Sequence, residues 1–93
     1  MSGGRVLVVV KVYPESPEVS IEDLIERIKS VLPQNISLEK SEIEEIGFGI
    51  KILRAYIVMP EEYEGGTSDI ENKLLSTEGV SQIEIEYVTR LPS

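Results

Sequence analysis

Cysteine and histidine are absent from the 93-residue sequence, and phenylalanine occurs only once. The absence of cysteine excludes disulfides and thiolate chemistry, and without either residue most zinc sites lose their usual ligands. The missing imidazole also removes the commonest general base. The composition therefore argues against an ordinary metalloenzyme or a triad hydrolase, and we expect no cofactor and no metal site.

Long apolar runs and positive charge are also scarce. The apolar run at positions 6–10 is interrupted by Lys11, and no stretch resembles a signal peptide or reaches the length of a membrane-spanning helix. The 17 acidic residues outnumber the 9 basic ones, and the formal net charge is −8. This negative field repels phosphate backbones and favours basic protein surfaces. We expect a soluble, cytoplasmic protein that contacts neither nucleic acid nor membranes.

Two aliphatic segments, residues 5–13 and 48–59, are present and are each followed by a proline. Their β-branched composition predicts central strands. Alternation places one row of each strand under covering helices and leaves Lys11 and Arg54 on an open face. The predicted covered rows are Val6, Val8, Val10 and Val12, and Leu53, Ala55, Ile57 and Met59.

The first predicted helix begins after Ser20, which with Asp23 three residues later is typical of an N-cap with an acidic N3 residue. Aliphatic residues at helical spacing form one stripe, and Pro33 ends the helix. The predicted inward residues are Ile21, Leu24, Ile25, Ile28 and Leu32.

The second predicted helix spans about residues 68–77, with Ser68 and Glu71 as a capping box and Gly79 as its C-terminal stop. The acidic loop before it, residues 61–66, ends in two glycines and is predicted to be mobile and solvated. The residues predicted to point inward are Ile70, Leu74 and Leu75.

Two polar segments are predicted as edge strands. In residues 36–45 the apolar positions change sides midway, as in a bulged edge strand. In residues 81–89, apolar and polar residues alternate, as in a half-exposed strand. The predicted apolar row is Ile83, Ile85 and Tyr87, and the polar row is Gln82, Glu84 and Glu86.

The predicted order is therefore β, α, β, β, α, β, which is the ferredoxin-like α+β arrangement. We expect a four-stranded antiparallel sheet with the first and third strands in the middle and both helices on one face. The length suits one domain over residues 1–93, with an ordered core at about residues 5–91.

This fold hosts many functions, so the residues must discriminate among them. An RNA-recognition module needs stacking aromatics on the open face and a basic surface. An acylphosphatase-like enzyme needs an anion-binding loop after the first strand, where this chain carries Glu15 and Glu18. A metal chaperone needs a thiol pair. A small-ligand regulatory module that oligomerises through an aliphatic open face remains as an alternative.

The triplet Gly47-Phe48-Gly49 predicts a turn that leads into a strand. Glycine permits positive φ and close backbone approach, so the triplet is able to expose the ring on a rim. The same pattern is also typical of a turn in which Phe48 caps the core, and local pattern alone favours that interpretation.

The wider stretch Ile46-Gly47-Phe48-Gly49-Ile50-Lys51, followed by Leu53, resembles the signature of the elongation factor 1-beta family. Members are guanine nucleotide exchange factors of elongation factor 1-alpha. Residues 8–17 are similar to the opening of the archaeal members, and residues 78–81 to their last corner between helix and strand. The resemblance extends over essentially the whole folded chain, whose length is that of the free-standing archaeal form.

The resemblance implies a ferredoxin-like exchange factor, monomeric when free, that accelerates GDP release from elongation factor 1-alpha without covalent chemistry. Phe48 matches the family phenylalanine that contacts the GTPase, with Gly47, Gly49 and Lys51 in the same signature.

The family also carries a lysine and a hydrophobic residue at the end of the last strand, and this lysine intrudes toward the magnesium and phosphate region of the partner. The matching positions are Arg90 and Leu91. Arginine stands where lysine is expected, and Pro92-Ser93 extend beyond the hydrophobic residue. The resemblance implies that Arg90 and Leu91 displace contacts to magnesium and phosphate.

Overall fold

The computed structural model describes residues 4–92, so residues 1–3 and 93 of the expected domain lie outside the described residues. The elements follow the predicted order β, α, β, β, α, β. Their bounds are β1 Arg5–Pro14, α1 Ile21–Val31, β2 Ser37–Gly47, β3 Ile50–Pro60, α2 Gly66–Leu75 and β4 Val80–Arg90.

The four strands form one antiparallel sheet in the order β2-β3-β1-β4. The two aliphatic strands therefore lie in the middle, with Val8 opposite Ile57 and Val10 opposite Ala55. The polar strands β2 and β4 form the edges. This arrangement confirms the predicted ferredoxin-like fold.

The core lies between the two helices and one face of the sheet. It contains all the residues predicted for the covered rows of the central strands, with Val6 at its margin. The helices contribute Leu24 and Ile28 from α1 and Ile70 and Leu74 from α2, all completely buried. Each such aliphatic side chain contributes about 1.5–3 kcal/mol of transfer free energy. Both helices therefore cover the same face.

Helix α1 begins and ends where local signals predict. The Asp23 backbone N–H donates to Ser20 Oγ at 3.2 Å, as expected of an N-cap. At the other end the Leu32 N–H donates to the Ile28 carbonyl, and the helix stops before Pro33. All five predicted inward residues are buried or packed against the core. No helix within residues 4–92 is long and apolar enough to cross a membrane.

Helix α2 departs from its prediction at its N-terminus. It begins at Gly66, and its N-cap is Gly65, which has φ 93° and makes no side-chain cap hydrogen bond. The Asp69 N–H already donates to the Gly65 carbonyl at 3.2 Å, so Ser68 lies inside the first turn. The predicted capping box of Ser68 and Glu71 is therefore wrong.

The C-terminus of α2 also differs. The helix ends at Leu75, and Gly79, with φ 95°, lies in the next turn rather than at the helix stop. Leu75 is 47% exposed, although it was predicted to point inward. Ile70 and Leu74, one turn apart, complete the buried stripe, and Leu75 projects about 100° away from Leu74 around the helix axis.

Each edge strand contains a register shift. The shift between Leu38 and Lys40 in β2 confirms the predicted bulge. In β4, Ile85 lies opposite Val10, whereas Tyr87 lies opposite Val9. The extra residue moves Tyr87 to the open face, where it is 51% exposed. The prediction that Tyr87 continues the row of Ile83 and Ile85 is therefore wrong.

Candidate functional site

The β2–β3 hairpin closes through a two-residue turn formed by Phe48 and Gly49. Gly47 pairs with Ile50 across the turn, so β3 begins two residues later than predicted. Phe48 has φ 53° and Gly49 has φ 75°. Positive φ at both central positions is the signature of a type I′ hairpin turn, whose backbone twist matches that of the strands.

The Phe48 ring is fully exposed. Of the two interpretations of the triplet, exposure is therefore correct, and Phe48 does not cap the core. A non-glycine residue in the left-handed region costs about 1 kcal/mol. The turn thus places a large apolar ring in water on a strained backbone. This arrangement does not stabilise the fold.

The same hairpin exposes further apolar side chains. Ile43, Ile46 and Ile50 are each 41–50% exposed, and all lie within seven residues of one another. Ile46 lies within a second register shift, between Glu45 and Gly47. Concentrated exposed apolar area on a small acidic protein is typical of a protein-binding surface.

Lys51 is an exposed cation at the base of the hairpin. It lies opposite Glu45 in the register, yet it makes no ion pair with any residue in the described range 4–92. Lys51 and Gly49 also line a cavity of about 120 Å³ beside the β1–α1 loop. The other lining residues are Pro14, Ser16, Pro17, Val19 and Ile21.

The other predicted functional residues lie where β4 ends. Arg90 pairs with Val6, and the Leu91 N–H donates to the Arg5 carbonyl at 2.9 Å. This hydrogen bond attaches Leu91 to β1, and Leu91 is partly buried. The Arg90 side chain is 79% exposed and forms an ion pair with Glu61.

The structure does not bring Phe48 and Arg90 together. Val6 pairs with both Arg90 and Met59, so Arg90 lies level with the far end of β3, across β1 from it. Nine residue steps separate Ile50 from Met59, which at about 3.3 Å a step is about 30 Å. The molecule is 48 Å along its longest axis, and the two predicted sets occupy its opposite ends.

The open face of the sheet carries an ionic network centred on Arg54. Its Nε donates to Glu86 at 2.6 Å, and its Nη2 lies 2.9 Å from Glu44. Lys11 Nζ lies 3.7 Å from the same Glu86. The placement of Lys11 and Arg54 on this face is confirmed, but their carboxylate partners were not predicted.

The network changes the ionisation of its members. The hydrogen bond from Arg54 lowers the pKa of Glu86. The Tyr56 hydroxyl donates to Glu42 at 2.9 Å, which lowers the pKa of Glu42 and raises the pKa of Tyr56. Hydrogen bonds to the charged form of a carboxylate favour that form. These carboxylates therefore remain ionised to a lower pH than usual.

The network also covers the apolar part of the open face. Val9 and Ile52 lie on this face by alternation but are buried. The part of the face around Arg54 is therefore charged, whereas Ile50 and Tyr87 on the same face are 41% and 51% exposed. The shared parity of Glu42 and Glu44 in β2 is the sequence signal that could have indicated this network.

Glu61 is the residue near the candidate site that sequence reasoning missed. It belongs to the acidic loop, which was interpreted as solvated. No local signal pairs it with Arg90, because the contact depends on how β3 and β4 flank β1. Within residues 4–92 no group of three or more carboxylates is placed to hold a metal ion.

Comparison with known proteins decides the family. Residues 7–91 match the model of the EF-1 guanine nucleotide exchange domain. The chain belongs to this family. Elongation factor 1-beta of Staphylothermus marinus is 48% identical over 87 residues, which cover 94% of this chain and 97% of that protein. The counterpart in Sulfolobus acidocaldarius is 50% identical over 86 residues, which cover 92% of this chain and 96% of that protein.

A structural likeness supports the fold alone. The C-terminal domain of the MgtC protein from Mycobacterium tuberculosis matches with a TM-score of 0.56 at 16% identity, covering 96% of this chain and 89% of that chain. The family predicted from the stretch Ile46 to Lys51 with Leu53 is confirmed, and so is the exchange-factor function that it implied.

Proposed function

We propose that this protein promotes GDP release from elongation factor 1-alpha during translation elongation. It acts in the cytoplasm, is monomeric when free and contacts neither nucleic acid nor membranes. It needs no cofactor and makes no covalent intermediate. The observation that carries the proposal is the fully exposed Phe48 ring on a strained turn of an EF-1 exchange domain.

Exchange without covalent chemistry is a matter of coupled binding. An exchange factor binds the nucleotide-free GTPase more tightly than the GDP-bound form. The ratio of these two affinities is also the ratio by which the exchange factor lowers the affinity of the GTPase for GDP. The factor therefore needs contacts that form fully only when the nucleotide and its magnesium ion have left.

Phe48 is the anchor of this interaction, supported by Gly47, Gly49 and Lys51. No atom lies within 4 Å of a Cβ added at Gly47 or Gly49, so the ring projects from a tip with free space around it. Aromatic residues that insert into a partner pocket dominate interface energetics. Lys51, free of intramolecular ion pairs within the described chain, adds a cation at the base of the tip.

Arg90 and Leu91 form the displacing end. Leu91 is fixed to β1 by its backbone, and the exposed Arg90 side chain next to it carries the charge outward. A cation placed beside the phosphates substitutes for part of the charge of magnesium. Arginine retains the positive charge of the family lysine and adds a planar fork that binds phosphate in a bidentate manner.

The distance between the two ends constrains how the partner is bound. A GTPase that contacts both Phe48 and Arg90 spans about 30 Å of the factor. The anchor therefore supplies affinity at one place on the GTPase while the C-terminal end acts at another.

The deciding experiment is stopped-flow release of a fluorescent GDP analogue from purified elongation factor 1-alpha in the presence of magnesium. We expect a release rate that rises and saturates with factor concentration. A rate unchanged by micromolar factor would overturn the proposal. Light scattering checks the monomeric state, and a stable dimer would contradict it.

A further inference from the structure

Glu61 and Arg90 form an ion pair near the start of β1, at the end of the sheet where β3 and β4 end. Glu61 directly follows β3, Arg90 is the last residue of β4, and these two strands flank β1. Their backbones are therefore separated by two strand spacings, about 10 Å. The ion pair bridges this separation through two long side chains.

Gly4 lies next to Glu61, one member of this ion pair. The Glu61 N–H donates to the Gly4 carbonyl at 3.0 Å, so Gly4 lies beside Glu61 at the start of β1. A Cβ added at Gly4 would lie 3.4 Å from Glu61 Oε1. A side chain at position 4 would therefore lie in contact with this carboxylate.

The two partners differ in freedom. Both residues are tied to the sheet by their backbones, but the Glu61 side chain is 30% exposed, whereas the Arg90 side chain is 79% exposed. The carboxylate is the more enclosed member of the pair, and the guanidinium is the member that is able to leave.

We infer that Glu61 is a positioning residue for Arg90. In the free factor it holds the guanidinium against the protein, and on complex formation it competes with the phosphates of the partner's nucleotide site for the same cation. This inference rests on the proposed function. Carboxylate and phosphate both bind a guanidinium through two parallel hydrogen bonds, so Arg90 exchanges one anion for the other.

The restraint is weak by nature. An exposed ion pair contributes little free energy and is screened by salt. Releasing it therefore changes exchange efficiency by about two- to fivefold at low ionic strength. The size and the salt dependence together distinguish it from the loss of a structural contact.

The first test measures kcat/KM for GDP release with wild type, Glu61→Gln and Glu64→Gln. Glu64 is exposed in the same loop, and its substitution removes the same charge. We expect Glu61→Gln to be about two- to fivefold faster at low salt and equal to wild type at high salt, and Glu64→Gln to match wild type throughout. Equal acceleration by both variants, or slower exchange by Glu61→Gln, would overturn the inference.

A double variant tests the contact itself. In an Arg90→Gln background, Glu61→Gln should no longer change the rate. A persistent effect of Glu61→Gln without Arg90 would count against the inference.

An observation without the GTPase separates this inference from the proposed function. Nitrogen-15 relaxation of the Arg90 Nε–H reports how freely the guanidinium moves. We expect faster motion in Glu61→Gln than in wild type and Glu64→Gln. Identical relaxation in all three proteins would disprove the restraint even if the factor is active. Inactive wild type would instead refute the proposed function.

Discussion

Phe48 and Arg90 lie at opposite ends of one sheet, about 30 Å apart along the strands. They share no neighbour, because one sits on the β2–β3 turn and the other pairs with the start of β1. The proposed anchor and the proposed displacing residue are therefore physically independent. Their contributions to exchange should be separable by mutation.

Phe48→Asn should stabilise the protein and weaken its binding. The substitution creates the Asn-Gly sequence that type I′ turns prefer and relieves the strain of Phe48 at φ 53°. We expect the unfolding free energy in urea to rise by about 0.5–1 kcal/mol. We expect KM for the GTPase to rise about tenfold or more. Phe48→Ala is the matched control, since it removes the ring but keeps the strain. Lower stability in Phe48→Asn would contradict the exposed position of the ring.

Arg90→Gln should lower the maximal exchange rate with little change in KM. Loss of hydrogen bonds to a charged group corresponds to about 10- to 100-fold in rate. Arg90→Lys keeps the charge and should retain most of the activity. Because Phe48 is distant, the changes in activation free energy caused by Arg90→Gln and by Phe48→Ala should add, and the double variant should match their sum within about 0.5 kcal/mol. A larger coupling would indicate that the two ends contact one shared site.

Stability should fall in acid because of the open-face network. Glu86 and Glu42 have lowered pKa values in the folded state, so they bind protons more readily when unfolded. Their contribution is complete above the ordinary value of 4.5 and is lost as the pH falls through the folded values. Urea unfolding between pH 6 and about pH 3 measures the slope. Arg54→Met should be less stable at pH 6 and show a shallower fall, and an unchanged slope would exclude Arg54 as the cause.

Gly79→Ala should destabilise the fold more than Gly49→Ala. Both glycines have positive φ, at 95° and 75°. A Cβ at Gly79 would lie 2.9 Å from Arg27 Nη1 and 3.1 Å from Leu24 Cδ2, whereas a Cβ at Gly49 meets no atom within 4 Å apart from its chain neighbours. We expect a loss of about 2–3 kcal/mol for Gly79→Ala and about 1 kcal/mol for Gly49→Ala in urea unfolding. Equal losses would mean that Arg27 and Leu24 move aside without cost.

Predictions from sequence succeeded where the signal was local. Helix α1 carries its own N-cap at Ser20 and a complete apolar stripe, so its bounds follow from neighbouring residues. The central strands were correct because alternation directly encodes which side chains lie under the helices.

Predictions failed at a helix cap and at a position where pairing between strands sets the side-chain face. The N-cap of α2 is Gly65 in a left-handed conformation, and Ser68 only mimics a cap in the sequence. Tyr87 changes face because β4 gains a residue relative to β1, and pairing between strands decides such a shift.

The sequence by itself determined the fold class, the buried faces, the absence of thiol and imidazole chemistry, and the family signature around Phe48. These properties depend on composition and on spacings of a few residues. Only the tertiary structure decided that the ring is exposed, that Arg90 lies at the far end of the sheet, and that Glu61 contacts Arg90. The physical reason is that strand order and register bring together residues remote in the chain, and no local pattern records those encounters.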